Sequence, residues 1–428
     1  MSASAGQHAP SLYAASAKGD TPRPALQDAT RADVCVVGGG FTGISTALHL
    51  AERGYSVIVL EAERIGWGAS GRNGGQLHSG QRRDQDWLEK RCGMETARRF
   101  WSMAEEAKAL VKDRIAKHAI DCDWMPGLIH AVHKPGWVAE EQEAAERLSR
   151  DYGYDEISML DRDALASAIG TDVYHGGYRD AGAGHLHPLN FVLGMARAAE
   201  DAGVRIFETS GVTKIGDGSP AIVTTAQGEV QADTVVLAAN GYLAGLEPAT
   251  EARVMPINNF ILATEPLSEA EADALIPGRE AASDSRFVVH YWRLTADRRM
   301  VFGGGETYSS RFPADIAAFV RNHMLKIYPQ LSQARIEYAW GGTLAVTTNR
   351  MPYFRRPRKG LYVACGYSGH GVATANFAGR VIADAVAGDA ERFDVFESLP
   401  MRPFPGGTLL RWPTLALAMS WFALRDRL

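Results

Sequence analysis

Residues 32–76 read ADVCVVGGGFTGISTALHLAERGYSVIVLEAERIGWGASGRNGGQ. The apolar run at 34–37 has the character of a buried parallel strand. It breaks at Gly38-Gly39-Gly40 and resumes after Phe41-Thr42-Gly43, so Gly38, Gly40 and Gly43 carry the G-x-G-x-x-G spacing. Ile44, Ala47, Leu48 and Ala51 then recur at helical spacing until Gly54 closes the helix. A second β-branched run, 57–60, ends in Glu61.

Each part of this unit has a physical job. Gly38 permits a tight turn out of the strand, and Gly40 lets the backbone approach a pyrophosphate. Gly43 lets helix and strand pack closely, and the helix N-terminus offers free N–H groups to phosphates. Glu61 is placed to accept hydrogen bonds from ribose hydroxyls, and its charge disfavours a 2′-phosphate. A strand, a glycine loop, a helix, a second strand and an acid in this order predict a dinucleotide-binding domain.

The continuation, Ile65-Gly66-Trp67-Gly68-Ala69-Ser70-Gly71-Arg72-Asn73-Gly74-Gly75-Gln76, holds five glycines. So much bare backbone implies packing against something flat or phosphorylated. Here the chain resembles the glycine/D-amino-acid oxidase superfamily of FAD enzymes. GASGRNGGQ is similar to the gamma-glutamylputrescine oxidase branch of that superfamily, as are GHLHPLN, RLTADRRMVFGGG, GYSGHGV and AERFDVFESLPMRPFPGG further on.

The resemblance implies an α/β fold, with an FAD-binding Rossmann-like domain of the glutathione-reductase type. An antiparallel-sheet α+β substrate domain is inserted into it. The expected division is an N-terminal arm at 1–30 and an FAD domain from 31–82, 181–250 and 341–396. The substrate domain comprises 83–180 and 251–340, and 397–428 is a C-terminal tail. The implied FAD contacts are Gly38, Gly40, Phe41, Thr42, Gly43 and Glu61 in the first unit. Ala69, Ser70, Arg72, Asn73, Gly74, Gly75 and Gln76 follow in the long loop. Val212 and Gly241 lie between, and Gly369, His370, Gly371 and Val372 form a second glycine loop at a helix start.

Composition agrees with a soluble globular enzyme. The 428 residues suffice for two domains; 46% are hydrophobic and 22% charged. A net charge of −5 gives no support to nucleic-acid binding. Cys35, Cys92, Cys122 and Cys365 form no C-x-x-C pair, which suits a reducing cytosol without disulfides or a metal. Residues 1–20 have neither a basic nor an apolar region of the secretory kind, so a cytoplasmic location is expected.

Along the chain, 1–30 reads as an extended arm pinned by Leu12 and Tyr13. Residues 87–118 read as a helix with Phe100, Met103, Ala107, Leu110 and Ile115 in the core. Strands are expected at 122–125 and 128–132. Helices are expected at 138–150 and at 159–169, with Asp161 as N-cap. A polar turn at 182–190 leads into a helix at 191–202. Strands follow at 204–208 and 211–215, with a hairpin over 221–231 and a buried strand at 233–239. The second half predicts strands at 256–265, 286–294 and 299–302, the last followed by Gly303-Gly304-Gly305. A helix at 316–328, strands at 335–342 and 361–364 and a helix at 372–386 complete it. The stretch 409–428 is apolar but contains Arg411 and Pro413, and its uninterrupted apolar part, 413–424, is too short to span a bilayer. It reads as a packed helix or an oligomer contact, with a membrane-surface contact left open.

The resemblance implies amine dehydrogenation. Flavin N5 takes a hydride from the carbon bearing nitrogen, the imine hydrolyses to aldehyde and ammonia, and oxygen is reduced to hydrogen peroxide. The expected substrate is gamma-glutamylputrescine or a similar acylated polyamine. Monomeric sarcosine oxidases carry a flavin-linking cysteine before the last strand, but 340–352 has none here, so FAD is expected to be non-covalent. They also carry a carboxylate-binding lysine after S-G-H-G, where this chain has Val372-Ala373. Leu77-His78-Ser79-Gly80-Gln81-Arg82-Arg83 departs from the branch pattern. It motivates a second reading, oxidation of a secondary or cyclic amino acid such as pipecolate. A third is an FAD amine dehydrogenase docked on a membrane, with electrons passing to a carrier.

The catalytic candidates are His78, Tyr291, Trp340 and His370. His290, Trp292, Arg293 and Tyr308 are further wall candidates. Strand alternation puts His290 and Trp292 on one face and Tyr291 and Arg293 on the other, and the sequence does not choose between them. Arg293 is a candidate for a distal carboxylate. His185 and His187 read as structural, without metal-ligand partners.

Overall fold

Val34, Cys35, Val36 and Val37 are all buried, as a strand covered on both faces requires. The computed structural model, which describes residues 6–307, 311–408, 410 and 413, puts them at the centre of an eight-stranded sheet. The strand Ala29–Val37 runs parallel to Val57–Leu60 on one side and to Glu229–Leu237 on the other. Arg205–Phe207 and Leu361–Cys365 extend the parallel part at either end. Tyr353–Arg358 closes one edge antiparallel, and Ala221–Thr224 with Lys214–Ile215 forms a side branch.

Two helices that begin at glycine loops, Phe41–Ala51 and Gly371–Val386, lie against each other over this sheet. Their contact is close because Gly379 has no side chain: a Cβ there would lie 2.5 Å from the Thr46 nitrogen. Ser45 Oγ donates to the Asn376 carbonyl at 2.6 Å, and the Thr42 and Tyr367 hydroxyls share a hydrogen bond of 2.6 Å.

The second sheet has nine strands. Its main path runs Ile336–Thr347, Val254–Thr264, Met300–Thr307, Tyr291–Leu294, Ala281–Asp284, Met125–Ala131, Gly177–His185 and Gln76–Leu77. Ile157–Leu160 pairs with Gly177–His185 as a branch. All pairings are antiparallel except Ala281–Asp284 with Met125–Ala131. The helix Ile316–Ile327 covers one face, burying Val320, Met324 and Ile327 against Trp292, Phe302 and Tyr328. The architecture is therefore the expected α/β fold, a parallel dinucleotide-type sheet joined to a largely antiparallel one.

Several elements differ from the sequence reading. Residues 159–160 end the strand Ile157–Leu160, and the helix Arg162–Ile169 starts only after Asp161, whose side chain accepts from the Ala164 N–H. The expected hairpin strand and the buried strand after it are one nine-residue strand, Glu229–Leu237. Of the strand expected at 286–294 only Tyr291–Leu294 is in the sheet; 285–290 leaves it and connects back to a separate strand, Ala281–Asp284. Gly303, Gly304 and Gly305 lie inside the strand Met300–Thr307 instead of after it. Ile115 is only partly buried, and Arg114 points inward instead, bonded to Glu52 at 2.6–2.7 Å. The N-terminal arm contains a short helix, Leu12–Ala15, and Leu12, Tyr13 and Leu26 are buried. Most of the C-terminal stretch 409–428, including the expected helix, lies outside the described residues. Among the described residues no helix is long and apolar enough to cross a membrane.

The contact at Gly379 gives a direct stability test. Gly379→Ala drives a methyl group into the neighbouring helix and should cost about 1–3 kcal/mol. Urea unfolding should show a lower midpoint at similar slope; an unchanged midpoint would mean that the two helices have room to spare.

Candidate active site

The site is built outward from the first glycine loop. Gly38 adopts φ +110°, and a Cβ there would meet the Ala238 carbonyl oxygen at 2.8 Å. A Cβ on Gly43 would sit 1.9 Å from the Gly38 oxygen, so only glycine lets the helix start this close to the strand. The Phe41 N–H donates to Ser70 Oγ at 2.9 Å, which ties this loop to the next. Helix geometry leaves the remaining first-turn N–H groups without helical acceptors.

Glu61 follows the second strand. Its carboxylate accepts the Gly39 N–H at 2.6 Å and the Glu63 N–H at 2.9 Å. Burial raises its pKa, with Glu208 and Glu63 adding to the effect against those two bonds. Val212 lies in the segment beside it, where Gly211 comes within contact distance of Ala62.

The long loop is folded by its own polar groups. Asn73 donates to the carbonyls of Ala69 and Ser70 at 2.9 Å and accepts the Gly75 N–H at 2.8 Å. Arg72 donates to the Trp67 carbonyl at 2.6 Å and stacks over the Trp67 ring at 4.2 Å. Its Nη2 is buried and has no hydrogen-bond partner among the described residues. Gln76 donates to the Ala282 carbonyl, and Gln76–Leu77 pairs with the strand Gly177–His185. The loop thus leaves the first sheet and becomes an edge of the second.

The second glycine loop closes the other side. Gly369 has φ +94°, His370 precedes the helix, and Gly371 and Val372 are its first residues. Asn240, next to Gly241, accepts the Gly366 N–H at 3.0 Å. His370 stacks on His78 with ring centroids 4.7 Å apart, joining the two loops directly.

Strand alternation resolves the open choice at Tyr291–Leu294. Tyr291 and Arg293 face the long loop; Trp292 faces the opposite core, against Tyr174, Phe302 and Tyr328. The Tyr291 ring fills the space over Gly74 and Gly303, where Cβ atoms would come within 2.7 and 2.1 Å of it. Its hydroxyl donates to Asn259 Oδ1 at 2.5 Å. Arg293 donates to the Gly74 carbonyl at 3.0 Å and to the Tyr13 hydroxyl at 3.3 Å, so it braces the loop from behind. Trp340 is also behind the loop: it is buried, and its Nε1 donates to the Arg72 carbonyl at 3.0 Å. His290 pairs with Asp284 and His323 away from this place. His185 bonds the Arg279 carbonyl, while His187 caps the helix Pro188–Asp201 and bonds Ser16. Tyr308 lies outside the described residues.

Two parts of the site go beyond the sequence reading, which pinned the arm by Leu12 and Tyr13 without joining it to the loop. The first is the arm: Tyr13 packs edge-on against Trp340 and His187, Gln7 accepts from Trp67 Nε1, and Asp20 pairs with Arg64. Its aromatic residue among small ones, Leu12-Tyr13-Ala14-Ala15, was the available signal. The second is a set of charges, Arg82, Glu306 and Arg350: the field of Arg82 reaches His78 and His370, that of Glu306 reaches Tyr291, and both arginines act on Glu306. The sequence showed Arg82 in a basic run, but Glu306 and Arg350 sat at a strand end and in a turn with nothing to link them.

These residues fit FAD. The glycine cradle and helix start suit a pyrophosphate, Glu61 suits a ribose, and the bare backbone around the partnerless Arg72 Nη2 suits a flat ring with polar edges. Burial holds His78 near pH 4 with help from Arg82, and holds His370 well below the ordinary imidazole range. Burial, with Arg293 next, likewise holds His185 and His187 at about 3.

Two predictions follow from this geometry. Removing residues 1–18, or making Tyr13→Ala, should loosen the long loop and weaken FAD retention at least tenfold, read as flavin lost on gel filtration. Equal retention would show that the arm does not brace the loop. The four buried imidazoles are neutral in the native protein, whereas unfolded histidines take up protons near pH 6.5. Their contribution is complete above about pH 6.5 and declines as pH falls toward about 3. The urea midpoint should therefore be lower at pH 5 than at pH 7.5; equal midpoints would contradict neutral burial.

The family described as FAD dependent oxidoreductase matches residues 33–385. The chain is 45% identical to the gamma-glutamylputrescine oxidoreductase of Escherichia coli (strain K12), over 99% of each chain. It is 42% identical to a probable oxidoreductase OrdL of Rhizobium meliloti (strain 1021), over 94% of each. Among solved structures, the glycine oxidase of Geobacillus kaustophilus aligns with a TM-score of 0.73 and 22% identity, covering 87% of this chain and 99% of that one. The chain belongs to the DAO family of FAD-dependent oxidoreductases.

Proposed function

We propose that this enzyme oxidises the primary amine of gamma-glutamylputrescine, or of a similar mono-acylated polyamine, with oxygen as the electron acceptor. We place the amine in a recess between the loops and the second sheet, and the observation that carries the reading is the set of neutral rings there. Tyr291 packs on the long loop, His78 and His370 stack where the two glycine loops meet, and Val372 and Ala373 are buried in the helix that starts beside His370. A carboxylate on the carbon to be oxidised finds no lysine at those two positions. The 45% identity to the Escherichia coli enzyme supports the same substrate class.

Bound FAD supplies the two-electron acceptor for the C–H bond next to nitrogen. The chain supplies position and protonation state. Asn259 holds the Tyr291 hydroxyl, and Gly74 and Gly303 fix its ring, so the wall is rigid before substrate arrives. A primary ammonium has a solution pKa of about 10.4. Burial in the recess penalises its charge, and both histidines are uncharged. The amine is thereby favoured in the neutral form that oxidation needs. Gly38, Gly40, Phe41, Thr42 and Gly43 would hold the pyrophosphate, Glu61 the ribose, and the residues 69–76 and 369–372 the ring. All four cysteines are free thiols; Cys35 and Cys365 are packed in the sheet core, which supports a non-covalent cofactor.

This division of labour extends to the domains. We assign 31–82, 181–250 and 341–396 chiefly to cofactor binding. The strands Gly177–His185 and Ile336–Thr347 cross two of these boundaries and pair within the second sheet.

Peroxide release tests the reading. Gamma-glutamylputrescine should give kcat/KM at least a hundredfold above L-pipecolate. A preference for pipecolate would replace this reading with cyclic amino acid oxidation. Reduction without peroxide would replace oxygen by a carrier.

A further inference from the structure

Many charged side chains elsewhere in the protein pair at contact distance. Arg64 meets Glu208, Arg179 meets Glu280 and Lys108 meets Glu105, all within 3 Å. The recess breaks this habit. Arg82, Glu306 and Arg350 reach it from three separate segments and sense one another's charge. Yet among the described residues no ion pair or side-chain hydrogen bond engages the Glu306 carboxylate, and neither arginine meets a carboxylate. Burying charges without partners is costly.

The arrangement is held by the surrounding backbone. Arg82 Nε donates to the Ser368 carbonyl at 3.0 Å. Ser368 Oγ accepts the Thr347 N–H at 3.3 Å, and the Thr347 carbonyl accepts the Arg350 N–H at 3.1 Å. The Arg350 guanidinium lies over the Phe287 ring, 4.3 Å from its centroid. Glu306 stands opposite Asn259 in the sheet, and Asn259 holds the Tyr291 hydroxyl. The three charges are thus fixed in place beside the same wall that Tyr291 forms. Burial pushes the Glu306 carboxyl up to about 7 against the pull of Arg350 and Arg82, and pushes Arg82 down to about 10 with Arg350 and Arg83 adding to it. Both shifts arise chiefly from burial.

We infer that Arg82, Arg350 and Glu306 form a subsite for a zwitterionic α-amino acid group remote from the oxidised amine. The carboxylate is taken by the two guanidinium groups and the ammonium by Glu306. Guanidinium donors match a carboxylate in geometry. A bare diamine brings no anion to this place, and a simple acyl group brings no charge at all. A γ-linked glutamyl group brings both charges on one carbon. The inference rests on the oxidase reading only for the name of the substrate; the subsite itself is a binding claim.

The test uses the FAD-loaded enzyme and a fragment without the putrescine arm, L-glutamic acid γ-methylamide. Its binding is followed by the flavin difference spectrum. The unaltered enzyme should show saturable binding. Arg82→Gln and Arg350→Gln should each raise the dissociation constant at least tenfold, and Glu306→Gln several-fold, with normal flavin content showing that each variant is folded. Glutaric acid mono-methylamide, which lacks the ammonium, should bind more weakly and be insensitive to Glu306→Gln. No saturable binding by the unaltered enzyme overturns the subsite, as does equal binding by the arginine variants. Turnover separates the two claims. Fragment binding with no oxidation of gamma-glutamylputrescine leaves the subsite standing and removes the proposed substrate. Equal losses by the arginine variants on gamma-glutamylputrescine and N-acetylputrescine, with fragment binding intact, overturn the subsite and leave the oxidase reading in place.

Discussion

A Cβ on Gly75 would sit 2.0 Å from the Leu186 carbonyl oxygen, and one on Gly74 would sit 2.7 Å from the Tyr291 ring. That steric constraint sets the path of the loop between the two sheets, and the site depends on the path. The loop must come close enough to both sheets to be gripped, and it must keep a bare backbone for the cofactor. Side chains can therefore act only where they fold the loop on itself, as Asn73 does, or brace it from outside, as Trp340 and Arg293 do. Tyr13 extends that brace into the N-terminal arm.

The parts of the fold legible in the sequence are those where one residue type answers one local need. Gly38, Gly40 and Gly43 could be placed on a strand–loop–helix because a Cβ at Gly38 or Gly43 collides with backbone. The strand Val57–Leu60 appeared as a run of β-branched and leucine residues bounded by a polar turn and an acid. Asp161 was readable as an N-cap because its side chain has one local partner. Gly303-Gly304-Gly305, expected after the strand, lies inside it. Its glycines are required by rings from elsewhere: Tyr291 over Gly303, His290 beside Gly304 and Phe319 beside Gly305. No local pattern carries that information.

The same limit governs the site. His78 and His370 lie 292 positions apart and meet only because both glycine loops converge on one place. Trp340 belonged among the aromatic candidates by type, yet its indole N–H is committed to the loop. Arg293, a candidate for a distal carboxylate, spends its donors on Gly74 and Tyr13. Arg82, Glu306 and Arg350 remain with charge unspent, and only the tertiary structure brings them together. Local patterning thus identified the cofactor frame, while the groups that face a substrate depended on long-range register.

The central claim is that an amine reaches the flavin only when an acylated polyamine is held in the recess. Anaerobic mixing of the FAD-loaded enzyme with substrate, followed by loss of flavin absorbance, tests it most directly. Gamma-glutamylputrescine should bleach the flavin rapidly and to completion, while putrescine at the same concentration should do so far more slowly. Equal rates for the two amines, or bleaching by neither, would contradict the account.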